Sequence, residues 1–187
     1  MHASAKTFKA GAATADISPV TSQFLCGYPH VERWSTGLHD PLTSSAMALD
    51  DGETCLLLIV NDILYVPKDL VARVRGRIAR STGIPETHIM ITGTHTHSGP
   101  VVQNRGPGSY DDVVPDADPE FLKILENGIV QAGETAFWAR RPAEIGLAIA
   151  TVSGIGTNRR DPQGPADPEI PVLVTRDPKT KQYIGIM

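Results

Sequence analysis

The chain has 187 residues, a mass of 20.0 kDa and a formal net charge of −4. Its 41% hydrophobic and 20% charged residues are typical of globular proteins and exclude a disordered tail, a collagen-like fibre and a coiled coil. The acidic balance and the 5% aromatic content exclude the usual nucleic-acid-binding surfaces, so we expect no nucleic-acid partner.

The N-terminal residues predict a cytoplasmic protein. The segment before Lys9 lacks the apolar core of roughly 7–15 residues that a signal peptide needs. The longest apolar run, Cys55 to Val60, is too short to cross a bilayer, so we expect no transmembrane segment. Cys26 and Cys55 form no CxxC motif and are expected to be free thiols.

Residues 8–61 predict a strand, a long loop and a β-hairpin. The strand lies within residues 8–19 and is stopped by Pro19. Residues 20–41 lack periodicity and carry histidines and aromatic residues, as the loops that wall a site often do. Residues 42–49 and 54–61 flank the turn signal Asp50-Asp51-Gly52-Glu53, which predicts the hairpin.

Residues 55–95 predict a strand, a helix and a second strand. The apolar run from Cys55 is typical of a strand buried on both faces. Pro67 suits the first turn of a helix over about residues 67–81, where apolar residues recur at helical spacing. A strand over residues 88–95 follows, and the short joints predict a parallel pair with a right-handed crossover.

The C-terminal half predicts a loop over residues 99–118, a helix that begins at Asp118-Pro119, and three strands. The strands are expected at residues 144–151, 170–175 and 183–186. Tyr183 to Met187 resembles the start of a buried strand, so we expect an incomplete domain that is truncated after Met187. The predicted fold class is α/β, a mixed β-sheet core with a βαβ unit, β-hairpins and helices packed on the sheet.

Two histidines carry the strongest chemical signal. His95 and His97 lie where the second strand of the βαβ unit gives way to a loop, the edge at which open α/β sheets gather ligands. Residues two apart in a strand point to the same side. The two imidazoles could bind one metal together, or one could bind the metal while the other stabilises a charge that develops during a reaction. The alternative is two ordinary polar histidines, because this spacing alone is not specific.

Asp62 ends the neighbouring strand of the predicted sheet. We expect its carboxylate to lie near the histidines, where it would orient an imidazole. A carboxylate that caps the following turn is the alternative. Ser98 is not expected to be a nucleophile, because adjacent residues of a strand face opposite sides.

Six short motifs follow one another along the chain: residues 11–19, Cys26-Gly27-Tyr28, residues 36–39, Asn61-Asp62, residues 93–100 and Thr157-Asn158-Arg159. In this order they resemble the N-terminal catalytic region of the neutral/alkaline non-lysosomal ceramidases. The likeness spans nearly the whole chain, and Thr-His-Thr-His-Ser-Gly-Pro is its most specific segment.

The resemblance implies a zinc-dependent hydrolase, an amidase that splits ceramide into sphingosine and a fatty acid in sphingolipid metabolism. It makes His95 a zinc ligand and places His97 and Arg159 at the reacting carbonyl as catalytic residues. Further residues of these motifs are expected to line the substrate site or to support it: Asp62, Asn158, His39 and Gly27.

The chain also departs from the family. The remaining zinc ligands (a second histidine, a glutamate and a tyrosine) and the active-site serine occur later in the family's sequence, so we expect the isolated chain to be inactive without its missing C-terminal part. Pro100 is followed by Val101-Val102-Gln103 where the family has two glycines. The substrate is therefore expected to be ceramide or a related, more polar N-acyl compound, and a non-catalytic binding or assembly module is the alternative.

Overall fold

The computed structural model describes residues 7–104 and 111–187. Residues 105–110, which belong to the predicted loop, lie outside the described residues. The helices are α1 (Lys68–Thr82) and α2 (Pro119–Trp138), with a short 3-10 turn at Glu86–His88. The strands are β1 (Lys9–Asp16), β2 (Thr43–Asp50), β3 (Cys55–Asn61), β4 (Ile89–Gly93), β5 (Arg141–Pro142), β6 (Glu144–Thr151), β7 (Glu169–Arg176) and β8 (Tyr183–Ile186).

Five strands form a mixed sheet in the order β4-β3-β2-β1-β5. The predicted hairpin is confirmed, because β2 and β3 pair antiparallel with Asp50 opposite Cys55. The predicted βαβ unit is also confirmed, because β3 and β4 pair parallel on either side of α1. The predicted end of the second strand is wrong, since β4 stops at Gly93 and leaves His95 in the loop that follows.

The two helices cover one face of this sheet. Gly83 ends α1 with a φ of +77°, and its N–H donates to the carbonyl of Ala79. Asp118 caps α2 by accepting from the N–H of Glu120, as the sequence predicts. Burying each large aliphatic or aromatic side chain stabilises the fold by about 1.5–3 kcal/mol. The fully buried residues between helices and sheet include Leu57, Ile59, Val74, Ile78, Phe121, Leu125 and Ile129.

A second, antiparallel sheet has the order β6-β7-β8, which confirms the predicted strands. It approaches the other face of the first sheet at Gly185, where a Cβ atom would lie 2.8 Å from Cε of Met47. Strand β6 is largely exposed, with Leu147 83% and Ile149 67% accessible. No helix among the described residues is both long enough and apolar enough to cross a membrane.

Three loops meet at one edge of the first sheet. Strands β1, β3 and β4 run in the same direction, because β1 and β3 are each antiparallel to β2 and β4 is parallel to β3. Their carboxyl ends therefore lie at the same edge, and the loops that follow these strands, from residues 17, 62 and 94, begin there. The fold thus brings the long loop, Asp62 and the two histidines to one region.

Candidate functional site

The first histidine of the pair is fixed by the loop that follows β3. The backbone N–H of His95 donates to the carbonyl of Ile63 over 3.1 Å, and its ring Nδ1 lies 2.9 Å from the carbonyl oxygen of Leu64. His95 has a φ of +64°, a conformation that is uncommon for a residue with a side chain and is often found at functional sites. His95 as a residue is exposed.

The second histidine lies beside the first. The ring centroids of His95 and His97 are 5.2 Å apart with an interplanar angle of 71°. The predicted proximity is therefore present, although both residues lie in a loop and strand alternation does not produce it. The ring of His97 also contacts Tyr28 edge-on, with centroids 5.1 Å apart. A Cβ atom on Gly27 would lie 2.5 Å from Cγ of His97, so Gly27 belongs to the same cluster.

An arginine that the sequence analysis missed completes this cluster. The guanidinium carbon of Arg33 lies 4.5 Å from the ring centroid of Tyr28. Its Nη1 donates to the backbone carbonyl of His97 over 3.0 Å. Arg33 is the only lysine or arginine between residues 20 and 41. Its place beside aromatic residues in that loop is the sequence feature that could have identified it as a site residue.

A cavity of about 790 Å³ lies against the same loops. Thr96 and Ser98, which alternate with the two histidines, contribute to its wall. The wall mixes polar and apolar side chains, which suits a ligand with both kinds of surface. It is formed by residues 19–23, 25, 34–42, 62, 96, 98 and 100.

Asp62 and His39, which are predicted to line or support the substrate site, both line this cavity. Oδ2 of Asp62 accepts hydrogen bonds from the backbone N–H and the hydroxyl of Thr43, each over 2.9 Å. These bonds anchor the carboxylate to the start of β2. The ring of His39 is 95% exposed, and its Nδ1 lies 2.7 Å from a carboxylate oxygen of Asp40.

Asn158 and Arg159 lie elsewhere, on the loop between β6 and β7. Oδ1 of Asn158 accepts from the backbone N–H groups of Arg160 and Asp161, which shapes the loop. Arg159 is exposed. The described cavity wall comes from other segments, so the structure does not bring these two residues to the cavity.

Two further protonatable groups near the site remain neutral at ordinary pH. Burial raises the pKa of the Cys26 thiol and of the Tyr65 phenol. Both cysteines are free, as predicted. Within residues 7–104 and 111–187, no group of three or more histidine, cysteine, aspartate or glutamate side chains is arranged to hold a metal ion.

Residues 8–169 match the family model of the neutral/alkaline non-lysosomal ceramidase N-terminal region. The chain is 30% identical over 168 residues to the neutral ceramidase of Mycobacterium tuberculosis, a match that covers 84% of this chain and 26% of that protein.

Two solved ceramidase structures share the fold of this chain. The neutral ceramidase from Pseudomonas aeruginosa superposes with a TM-score of 0.83 at 20% identity, covering 96% of this chain and 31% of that one. A ceramidase complexed with C2 gives the same TM-score and identity, with 30% of its chain covered. The chain therefore spans between a quarter and a third of the length of these relatives.

Proposed function

The chain belongs to the neutral/alkaline non-lysosomal ceramidase family, and we propose from this that it is the N-terminal part of an amide hydrolase that acts on ceramide or a related N-acyl compound. The observation that carries the proposal is the cluster around His97. Its ring lies beside that of His95 at the carboxyl edge of the sheet, and Thr96 and Ser98, the residues between and after the two histidines, line a cavity.

His95 suits the role of a zinc ligand. A carbonyl oxygen can only accept a hydrogen bond, so the contact with Leu64 places the proton on Nδ1 and leaves the lone pair on Nε2. A hydrogen-bonded second nitrogen of this kind usually fixes the tautomer and orientation of metal-ligating histidines. Bound zinc would lower the pKa of a water to about 7 and polarise the amide carbonyl. We propose that its other ligands come from the part of the family's chain that lies beyond this match.

His97 and Arg159 are the proposed substrate residues of this chain. His97 would bind or orient the reacting carbonyl from a position next to His95. Arg159 would stabilise the negative charge that develops on that oxygen. Its loop has to approach the histidines in the complete catalytic domain for this role.

A soluble N-acyl compound is the second candidate substrate. Polar groups of the cavity wall come from Asp62, Thr96 and Ser98. The two residues that stand where the family has glycines, Val101 and Val102, are buried. The polar groups of this mixed wall could hydrogen-bond a substrate that has polar groups of its own.

The experiment measures fatty acid release by the protein of the full reading frame, from ceramide in mixed micelles and from soluble N-acyl amino acids. His95→Asn should abolish turnover. The matched control is His30→Asn, because both histidines have positive φ, +64° and +59°, and asparagine tolerates that conformation. Equal activity of both variants would contradict the proposal, and turnover of only the soluble compounds would select the second substrate.

The cytoplasmic location is likewise a proposal, based on the N-terminal residues alone. Cell fractionation with an antibody against the chain tests it, and recovery in the culture medium would contradict it.

A further inference from the structure

The long loop forms a narrow ribbon that places Arg33 next to the histidines. The ribbon consists of residues 23–26, 33–35 and 99–101. Leu25 donates its N–H to the carbonyl of Arg33, and on the other side Cys26 donates to the carbonyl of Gly99. Phe24 anchors the ribbon because its side chain is only 3% exposed and packs edge-on against Trp34. Arg33 therefore extends from a segment that is hydrogen-bonded in place.

The guanidinium group of Arg33 makes two contacts that lead to the same residue. It lies over the ring of Tyr28 at 4.5 Å, and its Nη1 donates to the carbonyl of His97 over 3.0 Å. The ring of Tyr28 in turn contacts the ring of His97 at 5.1 Å. A planar guanidinium suits this combination of stacking and hydrogen bonding, whereas a lysine ammonium is a compact point charge that cannot lie flat on the ring while it donates to the carbonyl.

His97 needs such support more than His95 does. The ring of His95 is oriented by its own hydrogen bond to the loop after β3. The ring of His97 instead lies between Tyr28, His95 and the backbone of Gly27. Its orientation therefore depends on van der Waals and aromatic contacts. Arg33 stabilises these contacts through the ring of Tyr28 and through the backbone carbonyl of His97.

We propose that Arg33, acting through Tyr28 and through the carbonyl of His97, is a positioning residue that fixes the imidazole of His97 against that of His95. The inference deepens the proposed function and rests on it for its catalytic consequence. A displacement of about 1 Å in a substrate-orienting group can reduce a rate by about 100-fold. The geometric part of the inference concerns the 187-residue chain alone.

The test compares Arg33→Ala and Arg33→Lys with Arg75→Ala. Arg75 is a matched control, since its Nε donates to the backbone carbonyl of Ile89 over 2.8 Å at the far end of β4. In the histidine-labelled 187-residue chain, both Arg33 variants should shift the imidazole carbon and proton signals of His97 and weaken its nuclear Overhauser contact with Tyr28. Arg75→Ala should leave both unchanged, and His97→Asn assigns the signals.

Tyr28 supplies a second pair of variants. Tyr28→Phe keeps the ring and should preserve the His97 signals, whereas Tyr28→Leu should move them as Arg33→Ala does. In the protein of the full reading frame, Arg33→Ala should lower kcat by about 10- to 100-fold with KM within about twofold.

Unchanged His97 signals in Arg33→Ala, or a kcat no lower than that of Arg75→Ala, would overturn the inference. The two proposals fail separately. If the wild-type protein hydrolyses no N-acyl compound, the proposed function is wrong, while the His97 signals still decide whether Arg33 positions the ring.

Discussion

A Cβ atom on Gly27 would lie 2.5 Å from both Cγ and Nδ1 of His97. Gly27 also has a φ of +120°, a backbone conformation that residues other than glycine rarely adopt. The long loop thus reaches the His97 ring closely only because residue 27 has no side chain. Two independent constraints, the backbone conformation and the close approach, require glycine at this position.

Gly27→Ala is expected to lower the free energy of unfolding by about 1–3 kcal/mol and to displace the His97 ring, because both constraints are then violated. Urea denaturation measures the first effect and the imidazole signals of His97 the second. Gly37→Ala is the control in the same loop, since its Cβ would meet no atom of the described residues within 4 Å. Equal losses of stability in the two variants would show that the contact with His97 is not tight.

The histidine pair illustrates what the sequence could predict about the site. Its place at the end of a strand was readable from the short apolar run Ile89 to Ile91 and the glycine at position 93. The predicted proximity of His95 and His97 is confirmed. The predicted reason is wrong, because β4 ends at Gly93 and the positive φ of His95 turns the chain. A left-handed residue other than glycine leaves no signal in a periodicity argument. Arg33 was missed because its contacts, with Tyr28 in the same irregular loop and with His97 in another loop, follow no periodic pattern.

In the fold, too, features that depend on local sequence patterns were predictable, whereas features that depend on contacts between distant segments were not. The hairpin of β2 and β3 and the βαβ unit depend on turn signals and on the period of apolar residues, so both were predictable. The pairing of β1 with β2 and β5, and the separation of β6, β7 and β8 into their own sheet, depend on contacts between distant segments. The alternation in β6 predicted a strand but not that Leu147 would be 83% exposed.

Asp118 should stabilise the start of α2 and the cavity wall together. Its carboxylate accepts from the side chain of Gln23 over 2.7 Å and from the N–H of Glu120 over 2.9 Å. Removing a helix N-cap costs about 1 kcal/mol, so Asp118→Ala should lower the free energy of unfolding by that order at pH 7. Chemical denaturation followed by circular dichroism measures the change.

The contribution of Asp118 should also depend on pH. The hydrogen bonds from Gln23 and then from Glu120 hold the pKa of its carboxyl below the ordinary value. A lowered folded-state pKa means that the stabilisation is complete above the unfolded-state pKa of about 4 and is lost as the pH falls through the folded-state pKa. The difference between the wild type and Asp118→Asn, which keeps a capping oxygen, should therefore shrink between pH 6 and pH 3. A difference that stays constant would contradict this origin.

Strand β6 should make the 187-residue chain prone to self-association. It lies at the edge of the second sheet, and Leu147 and Ile149 expose 83% and 67% of their surface. An exposed apolar edge strand is a template for pairing with another chain. Leu147→Lys should raise the monomer fraction in light scattering at a fixed concentration. Val20→Lys is the control, because Val20 is 84% exposed but lies in the loop after β1. An equal gain from both variants would attribute the effect to net charge.

Zinc should bind only weakly to the 187-residue chain alone. Catalytic zinc sites use about three protein ligands, and among the described residues no cluster of three candidate ligands exists. A complete ligand set binds zinc with about 10–16 kcal/mol, so one or two imidazoles should give sub-stoichiometric metal after gel filtration. Fatty acid release should then be undetectable. Atomic absorption and a fatty acid assay measure the two quantities.

His95→Asn should remove the weak zinc binding that remains, because Nε2 of His95 carries the available lone pair. His30→Asn should not, although it matches the backbone conformation of residue 95, with φ values of +59° and +64°. Folding should survive in both variants, since His95 is exposed and asparagine accepts the left-handed conformation. Stoichiometric zinc held through His95, together with amide hydrolysis by the isolated chain, would show that the ligand set is complete within these 187 residues. The assignment of the remaining ligands to polypeptide beyond the match would then be wrong.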